Sequence, residues 1–393
     1  MRRSDQQYAL ANTLSRIERD QQRYFSAAGR QLAQLKTDLV ADVTNITASH
    51  SAFVASKLVT ALKVATFDLP QESILSSLQF PDMRNRQDTI SEPSHSTYNW
   101  IFEQAGTPPR PIQFMSWLEG GDGIFKVTGK AGSGKSTLMK HVSTDTRTAV
   151  ALEQWANGRK LFTASHYFWY LGSPMEKSYS GLIRSILYKI FDTYPDLIQP
   201  VCSSRWSEAL QGKDVRSLPW SDIELQKCLE TLVTSDLKVE GRDPCFCFFI
   251  DGLDEYDGDR EIIRLLARLA STGRTKICAS SRPWNKLETA FRTSRERGSY
   301  LELHLHTRDD IAKVVDGELS AMLIDVNRAS GDWSLLVQHV IERAEGVFLW
   351  VTLVLKKELI PCLENHDDFE FVMTRLNAVP SSKIFALLSR ILY

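Results

Sequence analysis

Gly129-Lys-Ala-Gly-Ser-Gly-Lys-Ser136 completes the pattern G-x-x-x-x-G-K-[ST] of a phosphate-binding P-loop. The loop follows an apolar run from Ile124 to Val127 and precedes residues of helical composition that begin at Thr137. A strand, a glycine-rich turn and a helix in this order predict a nucleotide site, and a chance match of a glycine-rich turn is the alternative. A second motif of the same site would favour the nucleotide.

Each residue type in the loop has an expected role in binding the phosphates or the metal ion. Glycines at positions 129, 132 and 134 let the backbone turn tightly and direct N–H groups at phosphate oxygens. We expect Lys135 to reach the β- and γ-phosphates and Ser136 to hold Mg²⁺, while the start of the following helix favours an anion. The predicted nucleotide-binding residues are Gly129, Lys130, Ala131, Gly132, Ser133, Gly134, Lys135, Ser136 and Thr137.

A second motif lies downstream of the loop. The unbroken apolar run Cys245-Phe-Cys-Phe-Phe-Ile250 is typical of a strand buried on both faces of a parallel sheet, and it ends in Asp251-Gly-Leu-Asp-Glu255. We expect Asp251 to hold the Mg²⁺ that Ser136 also contacts, largely through water. Glu255, or else Asp254, would polarise the attacking water. The alternative is an acidic turn that caps the next helix.

Another predicted strand, Lys276-Ile-Cys-Ala-Ser-Ser281, delivers Arg282 to its carboxyl end, where ligands of open α/β sheets bind. Arg282 would then sense or stabilise the γ-phosphate. The alternative is a structural salt bridge with the nearby acidic turn, and the sequence leaves the two open. The predicted catalytic residues are thus Glu255, Asp254 and Arg282.

Together these motifs resemble the NACHT branch of the STAND-type P-loop NTPases, in particular the fungal group with a nephrocystin-like N-terminal P-loop domain. Gly252 after the metal aspartate and the acidic pair Asp254-Glu255 resemble the NACHT form of the Walker B motif. Further similar segments are Met83-Arg-Asn-Arg-Gln-Asp-Thr-Ile90, His95-Ser-Thr-Tyr-Asn-Trp-Ile-Phe102, Trp117-Leu118, Gly123-Ile-Phe125, Tyr167-Phe-Trp169, Ser281-Arg-Pro-Trp284 and Glu345-Gly-Val-Phe-Leu-Trp350. The resemblance implies a switch in signalling, of the kind used in innate immunity and heterokaryon incompatibility. It also implies that the strand before Arg282 lies between the P-loop and Walker B strands.

The composition is that of a globular protein, because 43% of the 393 residues are hydrophobic. The 47 basic and 48 acidic side chains nearly cancel, so no charged footprint supports binding to nucleic acid. None of the six cysteines has the spacing of a zinc site, and a disulfide framework is not expected in a chain of this size. No window is apolar for long enough to span a membrane. We therefore expect a cytoplasmic protein.

The distribution of prolines and apolar residues divides the chain. Residues 1–66 have apolar positions at steps of three and four and predict an N-terminal helical segment, suited to packing, self-association or a protein partner. Residues 67–96 contain three prolines and predict a linker. Within it, Arg84-Asn-Arg86 is either a solvated charge cluster or part of a strap over the nucleotide base.

Residues 97–306 predict the P-loop NTPase domain, an α/β fold with a parallel five-stranded sheet flanked by helices. The predicted strands cover residues 124–127, 164–169, 246–250, 276–280 and 300–306. Residues 307–393 predict a helical subdomain, with helices over 309–323, 333–343, 347–360 and from 381. The pattern stops within a helix, as expected of a truncated subdomain or a fragment.

The resemblance implies that this subdomain clamps the nucleotide. The chain departs from the family here, because many relatives have G-x-P at the base-contacting position where this chain has Gly346-Val347-Phe348. Two other patterns are discounted. Asn285-Lys-Leu-Glu288 differs from the guanine-reading N-K-x-D motif in its last residue, and His304 and His306 alternate on a predicted strand without other ligands nearby.

The expected function is a nucleotide-dependent switch that binds ATP with Mg²⁺ and hydrolyses it slowly, with GTP as the alternative nucleotide. The first rival is a P-loop kinase or phosphotransferase. It would need a cationic lid, for which the sequence offers only Arg184, Arg205 and Arg216 between the two motifs. The second rival is a nucleotide-bound scaffold without useful turnover.

Overall fold

The computed structural model describes residues 69–94, 96–103, 112–283, 299–320, 330–365 and 367–381. The chain divides into two units, Met1–Leu69 and Pro70–Tyr393, and the described residues other than Leu69 fall in the second. The predicted N-terminal helical segment, the discounted Asn285–Glu288 motif and nearly all of the predicted last helix lie outside the described residues.

Five parallel strands form one sheet in the order β2-β3-β4-β1-β5. Their bounds are β1 Ile124–Thr128, β2 Lys160–Tyr167, β3 Pro244–Asp251, β4 Thr275–Ser281 and β5 Tyr300–Glu302. All eight residues of β3 are buried, as expected for an apolar strand covered on both faces. The order confirms the predicted α/β fold and the placement of β4 between the strands that carry the P-loop and the acidic motif.

Helices cover the sheet and continue beyond it. Around the sheet lie α1 (Leu69–Leu78), α2 (Asn85–Thr89), α3 (Phe114–Glu119), α4 (Lys135–Thr144), α5 (Thr146–Ala156), α6 (Tyr179–Thr193), α7 (Ile198–Val201), α8 (Ser203–Leu210), α9 (Asp222–Thr234) and α10 (Glu261–Ala270). The C-terminal helices are α11 (Arg308–Ser320), α12 (Ser330–Ala344), α13 (Phe348–Val354), α14 (Ile360–Glu364) and α15 (Phe369–Ala378), with a π-helix over Leu355–Leu359. None of the helices in the described ranges is long and apolar enough to span a bilayer.

The side chains of β3 alternate between two cores on opposite faces of the sheet. Phe246 and Phe248 pack in a core with α6, α9 and α10. Cys247 and Phe249 pack on the other side with α3, α4 and α5. A third core lies within α11 to α15 and contains Trp350, so the C-terminal helices have an apolar interior of their own.

Helices replace part of the predicted linker over residues 67–96. Ile74 and Leu78 on α1 are both 0% exposed and belong to the same core as β3. The prediction of a linker was wrong here because Pro70 is the second residue of α1, a position where the missing N–H of proline costs no helical bond. The predicted domain bounds 97–306 and 307–393 stay predictions.

Strand ends also differ from the prediction. β2 pairs with β3 over its whole length, from Lys160 opposite Pro244 to Tyr167 opposite Asp251. The strand therefore begins four residues before the predicted range 164–169 and ends two residues before the end of that range. β5 ends at Glu302 and the chain then turns in a 3₁₀ helix. The prediction that His304 and His306 alternate along a strand was wrong. Both are half-buried, and His306 stacks on Trp100 at 5.5 Å between ring centroids.

The C-terminal helices follow the predicted pattern with two differences. The helix predicted over 347–360 contains the π-helix Leu355–Leu359 just before Pro361. A π turn suits this place because proline cannot donate the regular helical hydrogen bond. Helix α15 was not predicted, although its sequence is rich in apolar residues, of which Val372 and Leu376 are buried.

Buried His166 on β2 makes the stability depend on pH. Burial lowers the pKa of His166 from 6.5 to about 3, and its Nδ1 lies 3.1 Å from Ser185 Oγ. Since the folded pKa is below the unfolded one, the contribution of this group is present above pH 6.5 and is lost as the pH falls towards the folded pKa.

We expect the wild type to lose about 2 kcal/mol more unfolding free energy than His166→Asn between about pH 7 and pH 5. Asparagine keeps a polar group opposite Ser185 but does not titrate. Urea unfolding of both proteins at the two pH values measures this difference. The same pH dependence in both proteins would show that folding does not lower the pKa of His166.

Candidate functional site

The P-loop, the acidic motif and Arg282 lie at one edge of the sheet. The loop follows β1, Asp251 is the last residue of β3, and Arg282 directly follows β4. Because the strands are parallel, their carboxyl ends meet at this edge, which is where open α/β sheets bind ligands. The topology thus brings the three predicted motifs together.

The loop has a backbone shape that requires glycine. Gly132 and Gly134 have φ angles of +72° and +88°, in the left-handed region where a side chain is strained. A Cβ on Gly129 would lie 2.6 Å from Ser133 Oγ. This hydroxyl is buried and has no hydrogen-bond partner among the described residues. The turn is therefore lined by backbone, with an unsatisfied hydroxyl beneath it, and these features fit a phosphate group.

Lys135 begins α4, and its side chain folds back over the loop. Nζ donates to the carbonyl oxygens of Gly129 at 2.9 Å and Lys130 at 3.0 Å. An ammonium group has three donors, so one donor remains beyond these two bonds. Burial lowers the pKa of Lys135, and the negative charges of Asp254 and Asp251 oppose this effect. The group can meet a phosphate oxygen without leaving the loop.

Asp251, the last residue of β3, is 2% exposed. Its carboxylate connects β3 to β4 and to α4. Its Oδ1 accepts a hydrogen bond from Ser280 Oγ on β4, and the Ser136 hydroxyl also hydrogen-bonds the carboxylate. Ser280 Oγ in turn accepts the Gly252 N–H at 3.0 Å. Burial raises the pKa of Asp251, and the two hydroxyls oppose this rise.

Ser136 and Asp251 fit a hydrated magnesium ion. Both are hard oxygen donors, and the Ser136 hydroxyl lies close enough to the Asp251 carboxylate to lower its pKa, so one hydrated cation could be shared between them. Mg²⁺ usually takes one or two protein oxygens and completes its shell with water and phosphate oxygens. Within the described ranges, no cluster of three or more His, Cys, Asp or Glu side chains is arranged to hold a metal.

Glu255 and Asp254 lie in a 3₁₀ turn, Leu253–Glu255, that follows β3. Glu255 Oε2 accepts the Tyr170 N–H at 2.9 Å. Burial raises the pKa of Glu255, the Tyr170 N–H opposes this rise, and the charge of Asp254 adds to it. A carboxylate with a raised pKa is suited to accept a proton near neutral pH.

Arg282 is tied to the acidic turn. Its N–H donates to Asp254 Oδ1 at 2.7 Å, and its Nε lies 3.3 Å from Asp254 Oδ2. This is the salt bridge that the sequence left open as the alternative. The side chain is 41% exposed, so the guanidinium still faces solvent at the edge of the sheet. A role at the γ-phosphate stays a prediction for Arg282.

Tyr98 covers the start of α4 and was missed by the sequence reasoning. Its hydroxyl lies 3.4 Å from the Gly134 carbonyl oxygen. The Tyr98 N–H and the Trp100 indole N–H both donate to Asp310 Oδ2, at 2.8 and 2.7 Å. Asp310 is 0% exposed and belongs to α11. No spacing in the sequence connects these residues, which lie far apart in the chain.

The C-terminal helices contact the P-loop directly through segment 345–349. The Leu349 N–H donates to the Gly132 carbonyl oxygen at 3.0 Å. Lys130 Nζ lies 2.9 Å from Glu345 Oε2 and also donates to the Glu345 carbonyl oxygen at 3.1 Å. This segment contacts the loop although it departs from the G-x-P pattern of the relatives. Side chains of the helical part therefore lie directly against the loop, including Val347 and Leu349 beside Gly132.

Comparison with known proteins supports the fold of this part of the chain. Residues 96–282, just under half of the chain, match the family described as nephrocystin 3, N-terminal. The domain is P-loop NTPase-like. This matched range contains the loop, the acidic motif and Arg282.

Among solved structures, the chain is similar to the crystal structure of Cdc6p from Pyrobaculum aerophilum, with 13% sequence identity and a TM-score of 0.34. The alignment covers 68% of this chain and 66% of the Cdc6p chain, so this chain spans slightly less than two thirds of that structure. The comparison with curated proteins gives no significant match.

The contact between Gly132 and Leu349 can be tested against a matched glycine. A Cβ on Gly132 would lie 2.7 Å from Leu349 Cβ, whereas Gly158 has a similar φ of +81° and nothing within 4 Å. We expect Gly158→Ala to cost about 1–2 kcal/mol of unfolding free energy through backbone strain alone. Gly132→Ala should cost about 1–3 kcal/mol more through overpacking. Urea unfolding measures both, and equal losses would show that segment 345–349 does not press on the loop in solution.

Proposed function

We propose that the protein is a nucleotide-dependent switch of the STAND type, in which the state of the P-loop sets the position of the C-terminal helices. The observation that carries this proposal is the direct contact between the loop and segment 345–349. A nucleotide that occupies the loop changes the surroundings of Lys130 and Gly132, and both residues bind this segment. The helical part can therefore respond to the ligand.

A switch needs a ligand that binds one arrangement better than the other. Typical couplings of this kind are about 1–3 kcal/mol. The Lys130–Glu345 ion pair, with side chains 29% and 25% exposed, is one contact through which such a coupling could act. It is partly screened by solvent, so its gain or loss can alter an equilibrium without unfolding the domain.

The ligand proposed is ATP with Mg²⁺, with GTP as the alternative. Residues 129–137 would bind the phosphates, and Ser136 and Asp251 would share the metal ion. Glu255, with its raised pKa, would polarise the attacking water, and Asp254 would support it while holding Arg282. Hydrolysis is proposed to be slow, as suits a switch rather than a metabolic enzyme.

The proposed setting is signalling in the cytoplasm, of the kind found in innate immunity and heterokaryon incompatibility. The resemblance of the sequence motifs to those of fungal NACHT proteins supports it. In this proposal residues 97–306 are the NTPase domain and residues 307–393 the responding helical subdomain. Residues 1–66 would pass the signal to a partner or to a second copy of the chain.

The kinase rival is less well supported by the surroundings of its lid cations. Arg205 is 3% exposed and pairs with Glu224 at 2.7 Å. Arg184 donates to the carbonyl oxygens of Ser77, Leu78 and Gln79. Both side chains are held in structural contacts, so they are poorly placed to close over an acceptor substrate.

Binding of nucleotide is tested by thermal unfolding with ATP, GTP or ADP and Mg²⁺. Ligand at about a hundred times its dissociation constant should stabilise the wild type by about 2.7 kcal/mol. Lys135→Ala should lose most of this shift, because the lysine that meets the phosphates is gone. Lys227→Ala, at an exposed position of α9, is the control and should shift like the wild type. An equal shift in Lys135→Ala would reject the proposed site.

The switch itself is tested by a double-mutant cycle on Lys130 and Glu345. We expect their coupling energy, from urea unfolding of the two single variants and the double variant, to change by about 1 kcal/mol when a non-hydrolysable ATP analogue and Mg²⁺ are added. The exposed pair Lys213–Glu208, at 3.2 Å, is the control and should not respond. The same Lys130–Glu345 coupling with and without nucleotide would count against the switch.

A further inference from the structure

Arg86 on α2 has an unusual environment for a residue in a surface segment. Its guanidinium lies over the Trp169 ring, 5.5 Å from the centroid. Its Nε is buried and has no hydrogen-bond partner among the described residues. Neighbouring Arg84 is exposed, so Arg84-Asn-Arg86 is only in part the solvated charge cluster that the sequence allowed.

Trp169 connects Arg86 to the acidic motif. It follows β2 and is adjacent to Tyr170, whose N–H holds Glu255 Oε2 at 2.9 Å. The positive charge of Arg86 acts on Glu255 and also on Asp251, lowering the pKa of each against the larger and opposite effect of burial. The Trp169 contact thus places Arg86 beside the residues that follow β2, next to the Tyr170 N–H that holds Glu255.

The segment that carries Arg86 is attached to the helix of the P-loop. Lys140 on α4 donates to the Ile90 carbonyl oxygen at 2.8 Å and pairs with Glu92 at 2.7 Å. These two bonds fix the end of α2 against α4, whose first turn contains Lys135 and Ser136. Arg86 is therefore held in place relative to the loop.

The site has more negative than positive charge, so a further cation near the phosphates would be stabilising. Asp251, Asp254 and Glu255 bring three carboxylates to this edge, and a triphosphate would add more negative charge. Arg282 is committed to Asp254, and Lys135 has a single donor left beyond its two bonds to the carbonyl oxygens of the loop. Among the described residues Arg86 forms no ion pair with a carboxylate, and its buried Nε has no hydrogen-bond partner, so this donor is available to an anion.

We propose that Arg86 contacts the γ-phosphate of the bound nucleotide and makes the site prefer a triphosphate over a diphosphate. This inference rests on the proposed function. The γ-phosphate is the group expected between the metal-binding Asp251 and the water-polarising Glu255, and the charge of Arg86 reaches both. A guanidinium suits this position because it binds phosphate oxygens in pairs.

The test compares Arg86→Gln with Arg84→Gln, the exposed neighbour, in the full-length protein. Binding of AMP-PNP and of ADP, each with Mg²⁺, is measured by calorimetry, and the unfolding midpoint is measured without ligand. Arg86→Gln should weaken AMP-PNP about tenfold, because a charge-assisted hydrogen bond is lost, and change ADP less than about twofold. Without ligand its midpoint should stay within about 2 °C, because only a cation–π contact is lost. Arg84→Gln should change neither nucleotide.

Arg86→Lys is the control for a folding defect in Arg86→Gln, because lysine keeps the positive charge and loses only the planar donors. It should show a smaller loss that is again confined to AMP-PNP. Equal weakening of AMP-PNP and ADP, or no weakening of either, would overturn the role of Arg86 while the wild type still binds nucleotide. Failure of the wild type to bind either nucleotide would overturn the proposed function, and the Arg86 proposal with it.

Discussion

The buried carboxylate of Asp251 ties the edge of the sheet together. It ends β3, accepts a hydrogen bond from Ser280 on β4, and is bonded by Ser136 in the first turn of α4. Burying an ionised carboxylate is costly unless hydrogen bonds satisfy it, so this residue fixes the separation of three elements at once. The P-loop and the acidic turn keep their mutual position because of this one group.

Much of this edge could be predicted from residues that are local in sequence. The apolar run 245–250 predicts a buried strand because a parallel sheet is covered on both faces. The glycines of the loop predict a tight turn because only glycine is unstrained at the φ angles of Gly132 and Gly134. Where strands are parallel, their ends must coincide, so the meeting of Ser136 and Asp251 follows from the topology.

Contacts between distant parts of the chain could not be predicted in the same way. Tyr98 reaches Gly134, and Leu349 reaches Gly132, without any periodic pattern that relates them. The end of β5 depends on packing too, since a Cβ on Gly346 would lie 2.1 Å from the His304 carbonyl oxygen. Helix α1 was misjudged because a proline was taken as a helix breaker at a position where helices tolerate it.

The Asp310 carboxylate has a mechanical consequence. One oxygen receives both the Tyr98 N–H and the Trp100 indole N–H, so the strap around residues 96–103 is fastened to the first turn of α11. A rotation of α11 that keeps these two hydrogen bonds would carry residues 96–103 with it and shift the Tyr98 ring relative to the start of α4. One buried carboxylate thus fastens the residues that cover the P-loop to the C-terminal helices.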